Sequence, residues 1–182
     1  MQIKAARLVR PFGRVLVYGR DPRNAAACAA DLAGSLDVEV EVTTNPEALV
    51  KRAQLVVTAT ASQTPVLEAG WLHNELHVTA VGAGHTGKNE IAPAGVARAD
   101  LFVCDGVDQC GSTGELRAAR EAGLFTDEPP HALGEIVTGA HPGRVSPAEI
   151  TICDLTGSAA LDTAIAAHAA GLLGATGTVM RA

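Results

Sequence analysis

Lysine is nearly missing from this sequence. Only Lys4, Lys51 and Lys88 occur among 182 residues, the formal net charge is −6, and the chain carries no basic cluster. A nucleic-acid partner is not expected, because a phosphate backbone calls for a positive face. Also missing is any stretch approaching the roughly 18 continuous apolar residues of a membrane span. The first residues lack an apolar signal core followed by a small-residue cleavage site, so no membrane partner is expected and the expected location is the cytoplasm. Cys28, Cys104, Cys110 and Cys153 show neither Cys-x-x-Cys nor paired-histidine spacing, and no metal site is expected. Cys104 and Cys153 lie in apolar runs and read as buried small hydrophobes; Cys110 lies in a polar stretch and reads as exposed. There is no internal repeat and no low-complexity tract.

What is present is a 47% apolar chain, sufficient for one domain with a core. Its pattern alternates. Residues 14–18, 38–43, 55–60, 76–81, 101–105 and 149–154 read as strands, some alternating and some continuously apolar. Helices are expected over 2–10, over 23–33 with Asp21 as cap and Pro22 at the first position, and over 45–53 with Asn45 and Pro46 in the same roles. Further helices are expected from Ser112-Thr113 to Ala122 with Glu115 as capping partner, over 132–139, and over 158–173. Asp127–Pro130 reads as loop, and the last nine residues as a flexible end. Strand–helix alternation predicts an α/β fold: a mostly parallel sheet with helices on both faces.

Residues 77–91, HVTAVGAGHTGKNEI, support two readings. Gly82, Gly84 and Gly87 spell G-x-G-x-x-G after a β-branched run, and Asp105 closes the next apolar run. That is the layout of a dinucleotide fingerprint. Against it, Pro93 and Gly95 interrupt the helix whose first turn would hold the phosphates.

Other residues carry chemistry on their own spacing. Gly19-Arg20 follows the first strand, where a small residue and an arginine favour a 2′-phosphate and thus NADP over NAD; a plain turn capped by Asp21 explains the segment equally well. Thr58–Ser62 offers hydroxyls at a strand's carboxyl end, where open α/β sheets bind ligands. His85 could serve as a base near neutrality, and Lys88 sits in the same loop. Asp105, Gln109, Glu115, Glu135 and Asp154 stand at strand ends or helix starts, with capping roles suited to Glu115 and Glu135.

Taken in order, AQLVVTATASQTPVL, VGAGHTGKNEI, ADLFVCDGVDQCGSTGEL and GEIVTGAHPGRVSPAEITICDLT resemble the ornithine cyclodeaminase/μ-crystallin family from Gln2 to about Ala167. The tail ITICDLTGSAALDTAIA looks most like its ectoine-utilisation branch. The resemblance implies a Rossmann-like three-layer domain over residues 1–155, in which GAGHTG is a late strand and its loop. It implies a C-terminal helix over 156–182 that in relatives packs on an N-terminal substrate and dimer domain. Met1-Gln2 would fall within the helix after the family's glycine loop, so the first strand and that loop are expected to be missing, and the natural start could lie upstream.

The resemblance further implies NAD or NADP contacts from Gly19, Arg20, Thr60, Val78, Thr79, Ala80, Val81, Lys88 and Leu155. Thr156 would face the substrate, a small amino acid or cyclic imine. Gly84 stands where the family places an acid/base aspartate, leaving His85 as the substitute. Leu155 replaces a frequent serine and Leu161 a frequent glutamine. The implied activity is deamination and cyclisation of a small diamino acid, as in ectoine degradation, in a homo-oligomer. Reduction of a cyclic ketimine such as pyrroline-2-carboxylate is the alternative, and a non-catalytic binding or assembly protein is another. Without the glycine loop, weak cofactor binding at most is expected.

Overall fold

The computed structural model describes residues 2–125 and 129–173. The expected elements begin where local chemistry marks them. Helix α1 (Gln2–Val9) leads into strand β1 (Arg14–Val17). Asp21 accepts from the Arg23 N–H and Pro22 occupies the first turn of α2 (Pro22–Ser35). Strand β2 (Glu39–Val42) follows. Asn45 then accepts from Ala48 N–H, and Pro46 opens α3 (Pro46–Arg52). Each cap satisfies a helix N–H left without an internal partner.

Strand β3 (Leu55–Thr58), a 3₁₀ turn (Ala69–Trp71) and strand β4 (His77–Ala80) come next, then a one-turn helix, α4 (Pro93–Val96). Strand β5 (Leu101–Cys104) precedes α5 (Val107–Ser112) and α6 (Glu115–Glu121). A two-residue strand β6 (His131–Ala132), helix α7 (Leu133–Thr138), strand β7 (Thr151–Asp154) and helix α8 (Ala159–Leu173) complete the series.

Three differences from the sequence reading have physical causes. The expected helix from Ser112 is two helices, because α5 starts earlier, at Val107, and Gly114 breaks it from α6. Pro93 does not prevent a helix; it starts one, as proline can at a first turn, but that helix lies beyond the G-x-G-x-x-G stretch and does not open from it. β6 was too short to read. Of the expected loop, residues 127 and 128 lie outside the described residues, as do 174–182.

All strand pairs are parallel. β3-β4-β7-β5-β6 form one sheet and β1-β2 another. In the larger sheet Val78 sits beside Val56 and Ile152, and Phe102 beside Ile152. These residues, with Leu67, Leu76, Ile91, Val96 and Leu116, make the main core, while Val15, Val17, Ala25, Ala29 and Leu32 make a second under β1. The strand order places β4 and β7 at the centre, so the loops leaving their carboxyl ends converge, which is where parallel sheets bind ligands. Helix α8 buries none of its side chains in this chain.

Ile152, 1% exposed in the central β7, is the sharpest probe of this packing. Ile152→Ala should cost about 2–5 kcal/mol through lost burial and cavity formation. Leu8→Ala, on the exposed face of α1, should stay within about 0.5 kcal/mol. Urea unfolding of both variants checks the contrast, and equal effects would contradict the core assignment.

Candidate functional site

Four acids hold the loops at the carboxyl ends of the strands. Glu90 is fully buried beneath the β3 and β4 ends. One of its oxygens accepts from the Thr58 hydroxyl and from the Gly82 N–H, both at 2.7 Å, and the other from the Thr60 N–H. The carboxylate thus joins the two loops. Gly82 is required there, since a Cβ would lie 2.2 Å from the Thr60 carbonyl oxygen and 2.4 Å from the Glu90 carboxyl carbon.

Glu115 repeats the device one layer deeper. It accepts from Glu90 N–H at 2.8 Å, from Ile91 N–H at 2.9 Å, and from the Asn89 side-chain amide. Glu115 therefore does not cap its own helix. That role falls to Asp154 at the end of β7, whose Oδ2 accepts from Glu115 N–H at 2.8 Å and Leu116 N–H at 3.3 Å. The break at Gly114 follows, because a Cβ there would sit 2.3 Å from Asp154 Oδ2. Glu135 does cap its helix, accepting from Ala132 N–H at 3.1 Å.

Asp105 closes the β5 end onto the β7 loop. It accepts from Gly157 N–H at 2.8 Å, the Thr156 hydroxyl at 3.0 Å and the Cys110 thiol at 3.3 Å. Gln109 adds a bond to the Gly157 carbonyl at 2.7 Å. Cys110 is buried, contrary to the exposed position its polar surroundings implied, because α5 turns it inward toward Asp105 and Asp154. Cys104, Cys110 and Asp154 bring donor atoms within 4.8 Å of one another. Hydrogen bonding with Cys110, followed by burial, pushes the Cys104 thiol far up, and burial pushes Cys153 up to about 12. Protonated thiols at Cys104 and Cys153 suit packing in the core.

Among the described residues no lysine or arginine forms an ion pair with Glu90, Glu115, Asp154 or Asp105. Burial raises Glu115 from 4.5 to about 7, opposed by the Ile91 and Glu90 N–H groups and assisted by the charges of Asp154 and Glu90. Burial likewise raises Asp154 from 3.8 to about 6, opposed by the Leu116 and Glu115 N–H groups. Its Oδ1 is buried without a hydrogen-bond partner.

The residues singled out in the sequence divide into four groups. Thr60, Val81 and Leu155-Thr156 come together at the β3, β4 and β7 ends, where Val81 N–H bonds to Thr58 and Leu155 N–H to Ala80. Gly84 packs on this cluster, and a Cβ there would lie 2.8 Å from the Thr156 carbonyl oxygen. His85 is exposed and Lys88 half-buried in the adjoining loop, joined by a bond from Lys88 N–H to the His85 carbonyl. Val78 and Ala80 are wholly buried in β4, with Thr79 between them bonded to His77. Gly19 and Arg20 stand at the end of β1, across a cavity of about 1750 Å³ that also reaches Thr58–Ser62. Sequence reading missed Glu90 and Asn89.

The family model of the ornithine cyclodeaminase/mu-crystallin family matches residues 1–170. An uncharacterized cyclodeaminase of Sinorhizobium fredii is 40% identical over 91% of this chain and 50% of its own length. The iminosuccinate reductase of Paracoccus denitrificans, solved in complex with NAD⁺, superimposes with a TM-score of 0.87 at 35% identity, over 94% of this chain and 52% of that one. The Δ(1)-pyrroline-2-carboxylate reductase of Thermococcus litoralis, in complex with NADH and L-proline, gives 0.90 at 26% identity over 98% and 56%. The chain spans about half the length of the curated relatives it matches.

The two raised carboxyls set a pH dependence of known sign. Between the unfolded and folded pKa values the folded chain holds more protons, so stability is greatest in acid and falls as pH rises. Glu115 contributes this loss from about pH 4.5 to 7 and Asp154 from 3.8 to about 6. Together they amount to on the order of a few kcal/mol. Urea unfolding across this range should show the decline, and Glu115→Gln should flatten it between pH 6 and about 7. Stability rising with pH there would contradict the assignment.

Proposed function

The chain belongs to the ornithine cyclodeaminase/mu-crystallin family, and on that footing we propose that it is the dinucleotide-binding part of an NAD(P)-dependent enzyme acting at the α-carbon of a small amino acid or its imine. The observation that carries the reading is the convergence of Thr60, Val81 and Thr156 at the sheet's carboxyl ends, with Gly19-Arg20 across the adjoining cavity.

The residues fit such a cofactor at its two ends. Arg20 is exposed, and Asp21 beside it is engaged by the Arg23 guanidinium at 2.9 Å and by the start of α2. Arg20 can pair with a 2′-phosphate while Asp21 is held by Arg23, and this supports NADP over NAD. At the other end the Glu90-braced loops present Thr60, the carboxyl end of β4 at Val81, Lys88 and Leu155. Because Val78 and Ala80 are buried and β4 is paired on both sides, Val78–Ala80 contribute rigidity, with Val81 the first residue able to meet a ligand. Between the two ends, no described glycine-rich turn opens a helix to cradle a pyrophosphate, and this supports weak binding by the chain alone.

The dinucleotide, when bound, supplies hydride transfer. The chain's own residues orient the reactants, with His85 available to move a proton. The Thr156 hydroxyl is buried and given to Asp105 at 3.0 Å, so Thr156 serves by holding the β7 loop in place beside the substrate rather than by touching it. An aspartate at position 84 would need the Thr156 backbone to shift, since its Cβ has only 2.8 Å to that carbonyl; Gly84 and the present Thr156 loop belong together. Cyclodeamination of a small diamino acid and reduction of a cyclic imine both begin at the same carbon. The family name supports the first, and the likeness to two imine-reducing enzymes supports the second.

Calorimetric titration of the isolated chain should show NADPH binding no tighter than about 100 μM, with NADPH preferred to NADH and the preference lost in Arg20→Asp. Micromolar binding would contradict the missing cradle and revive GAGHTG as a phosphate loop. Ammonia release from ornithine or 2,4-diaminobutyrate by the chain alone should be undetectable. If turnover were found, its loss in His85→Ala would identify the base.

A further inference from the structure

Cys104 and Cys110 meet Asp154 where β5, α5 and β7 end. Parallel register sets Cys104 beside Asp154 across the ladder, so both side chains stand on one face of the sheet. Strand alternation turns Cys153 to the other face, and Cys28 is exposed on α2. Helix α5 then lowers Cys110 onto the pair. All three residues are fully buried, and the two Sγ atoms and a carboxylate oxygen of Asp154 lie within 4.8 Å of one another. Asp154 Oδ2 is taken up by the N–H groups of Glu115 and Leu116. Its Oδ1 is left buried and without a partner, on the carboxylate that meets the two sulfurs. Acceptors also outnumber protons. The single proton of the Cys110 thiol faces Asp105 Oδ1 at 3.3 Å, the Asp154 carbonyl at 3.6 Å and Thr156 Oγ1 at 3.6 Å. No described lysine or arginine pairs with Asp105 or Asp154.

We propose that Cys104, Cys110 and Asp154 form a binding site for a thiophilic divalent cation of the zinc class. The donor set selects the ion. Two thiolates and a carboxylate suit Zn²⁺, Co²⁺ or Cd²⁺ and disfavour Mg²⁺ and Ca²⁺, which take oxygen ligands. The spacing agrees. With Zn–S bonds of about 2.3 Å and Zn–O bonds of about 2.1 Å, neighbouring sulfur and oxygen ligands of a tetrahedral ion stand roughly 3.5 Å apart. The Cys110 sulfur has oxygens at 3.3 Å on Asp105 and at 3.6 Å on Thr156, either of which would complete the fourth position. The bound ion releases the thiol protons of Cys104 and Cys110 to solvent and takes over the contacts those protons made; its charge holds the thiolates ionised. A dication is also what a pocket of acceptors and acids lacks. It would tie the ends of β5, α5 and β7 together, and the site stands independently of the dinucleotide reading.

The test uses the whole chain, reduced, stripped with a chelator and free of dinucleotide, so failure here is distinct from failure of the cofactor reading. A single equivalent of Co²⁺ should give a near-ultraviolet sulfur-to-cobalt charge-transfer band, and Zn²⁺ should bleach it. Calorimetry in buffers of different ionisation enthalpy should show the release of both thiol protons on Zn²⁺ binding. Cys104→Ala and Cys110→Ala should each diminish the band and weaken Zn²⁺ binding about a hundredfold or more. Asp154→Asn keeps an oxygen for the Glu115 N–H and should weaken binding about tenfold or more. Cys28→Ala and Cys153→Ala should leave the band and the affinity unchanged. Where a variant fails to fold, the Cβ carbon shifts of the cysteines in the unaltered chain decide, with Zn²⁺ moving Cys104 and Cys110 and sparing Cys28 and Cys153. Absence of the band, a band unaltered in folded Cys104→Ala or Cys110→Ala, or a band that needs Cys28 or Cys153 would overturn the proposal. So would equally tight binding of Mg²⁺ or Ca²⁺.

Discussion

Backbone N–H groups, joined by the Thr58 hydroxyl and the Asn89 amide, hold the buried carboxylates of this domain. Among the described residues no lysine or arginine pairs with them. Glu90, Glu115 and Asp154 are fully shielded from water, and each takes donors from a loop or helix start that it must then keep in place. A buried charge without partners is very costly, while one receiving several N–H bonds is tolerated. The arrangement is therefore rigid in a way a surface ion pair is not. Glu90 fixes the β3 and β4 loops to each other, Glu115 fixes the segment carrying Glu90, and Asp154 fixes the helix carrying Glu115. The order of dependence runs from the sheet's centre outward to the loops at the strands' carboxyl ends.

This chain of acids explains residues that look interchangeable in sequence. Gly82 and Gly114 stand against a carboxylate, and Gly84 against a carbonyl. Their lack of a side chain is a matter of close approach. That gives G-x-G-x-x-G a meaning other than phosphate binding: Gly82 admits Glu90, Gly84 admits the Thr156 loop, and Gly87 alone of the three adopts a positive φ, of 87°.

Much of the fold was legible because its signals are local. Asp21-Pro22 and Asn45-Pro46 mark helix starts within a few residues, and β-branched runs such as LVVT and LFVC mark strands. The order of motifs pointed to the family. What could not be read depends on partners far away in sequence. Glu90 sits in a polar loop and gains its meaning from Thr58 and Thr60, some thirty residues earlier. The split between α5 and α6 comes from Asp154, and Cys110 is buried because α5 folds over the β5 and β7 ends. The division of the sheet was equally hidden, since strand periodicity says what a strand buries and nothing about which edges are paired.

The most direct test is the titration of the carboxyl carbons of Glu115 and Asp154 by NMR in the intact chain. Burial among N–H donors, with no cation at hand, predicts midpoints near 7 for Glu115 and near 6 for Asp154. Midpoints at or below the ordinary values of 4.5 and 3.8 would mean that water or a cation reaches these groups, and the account of how the loops are held would be wrong.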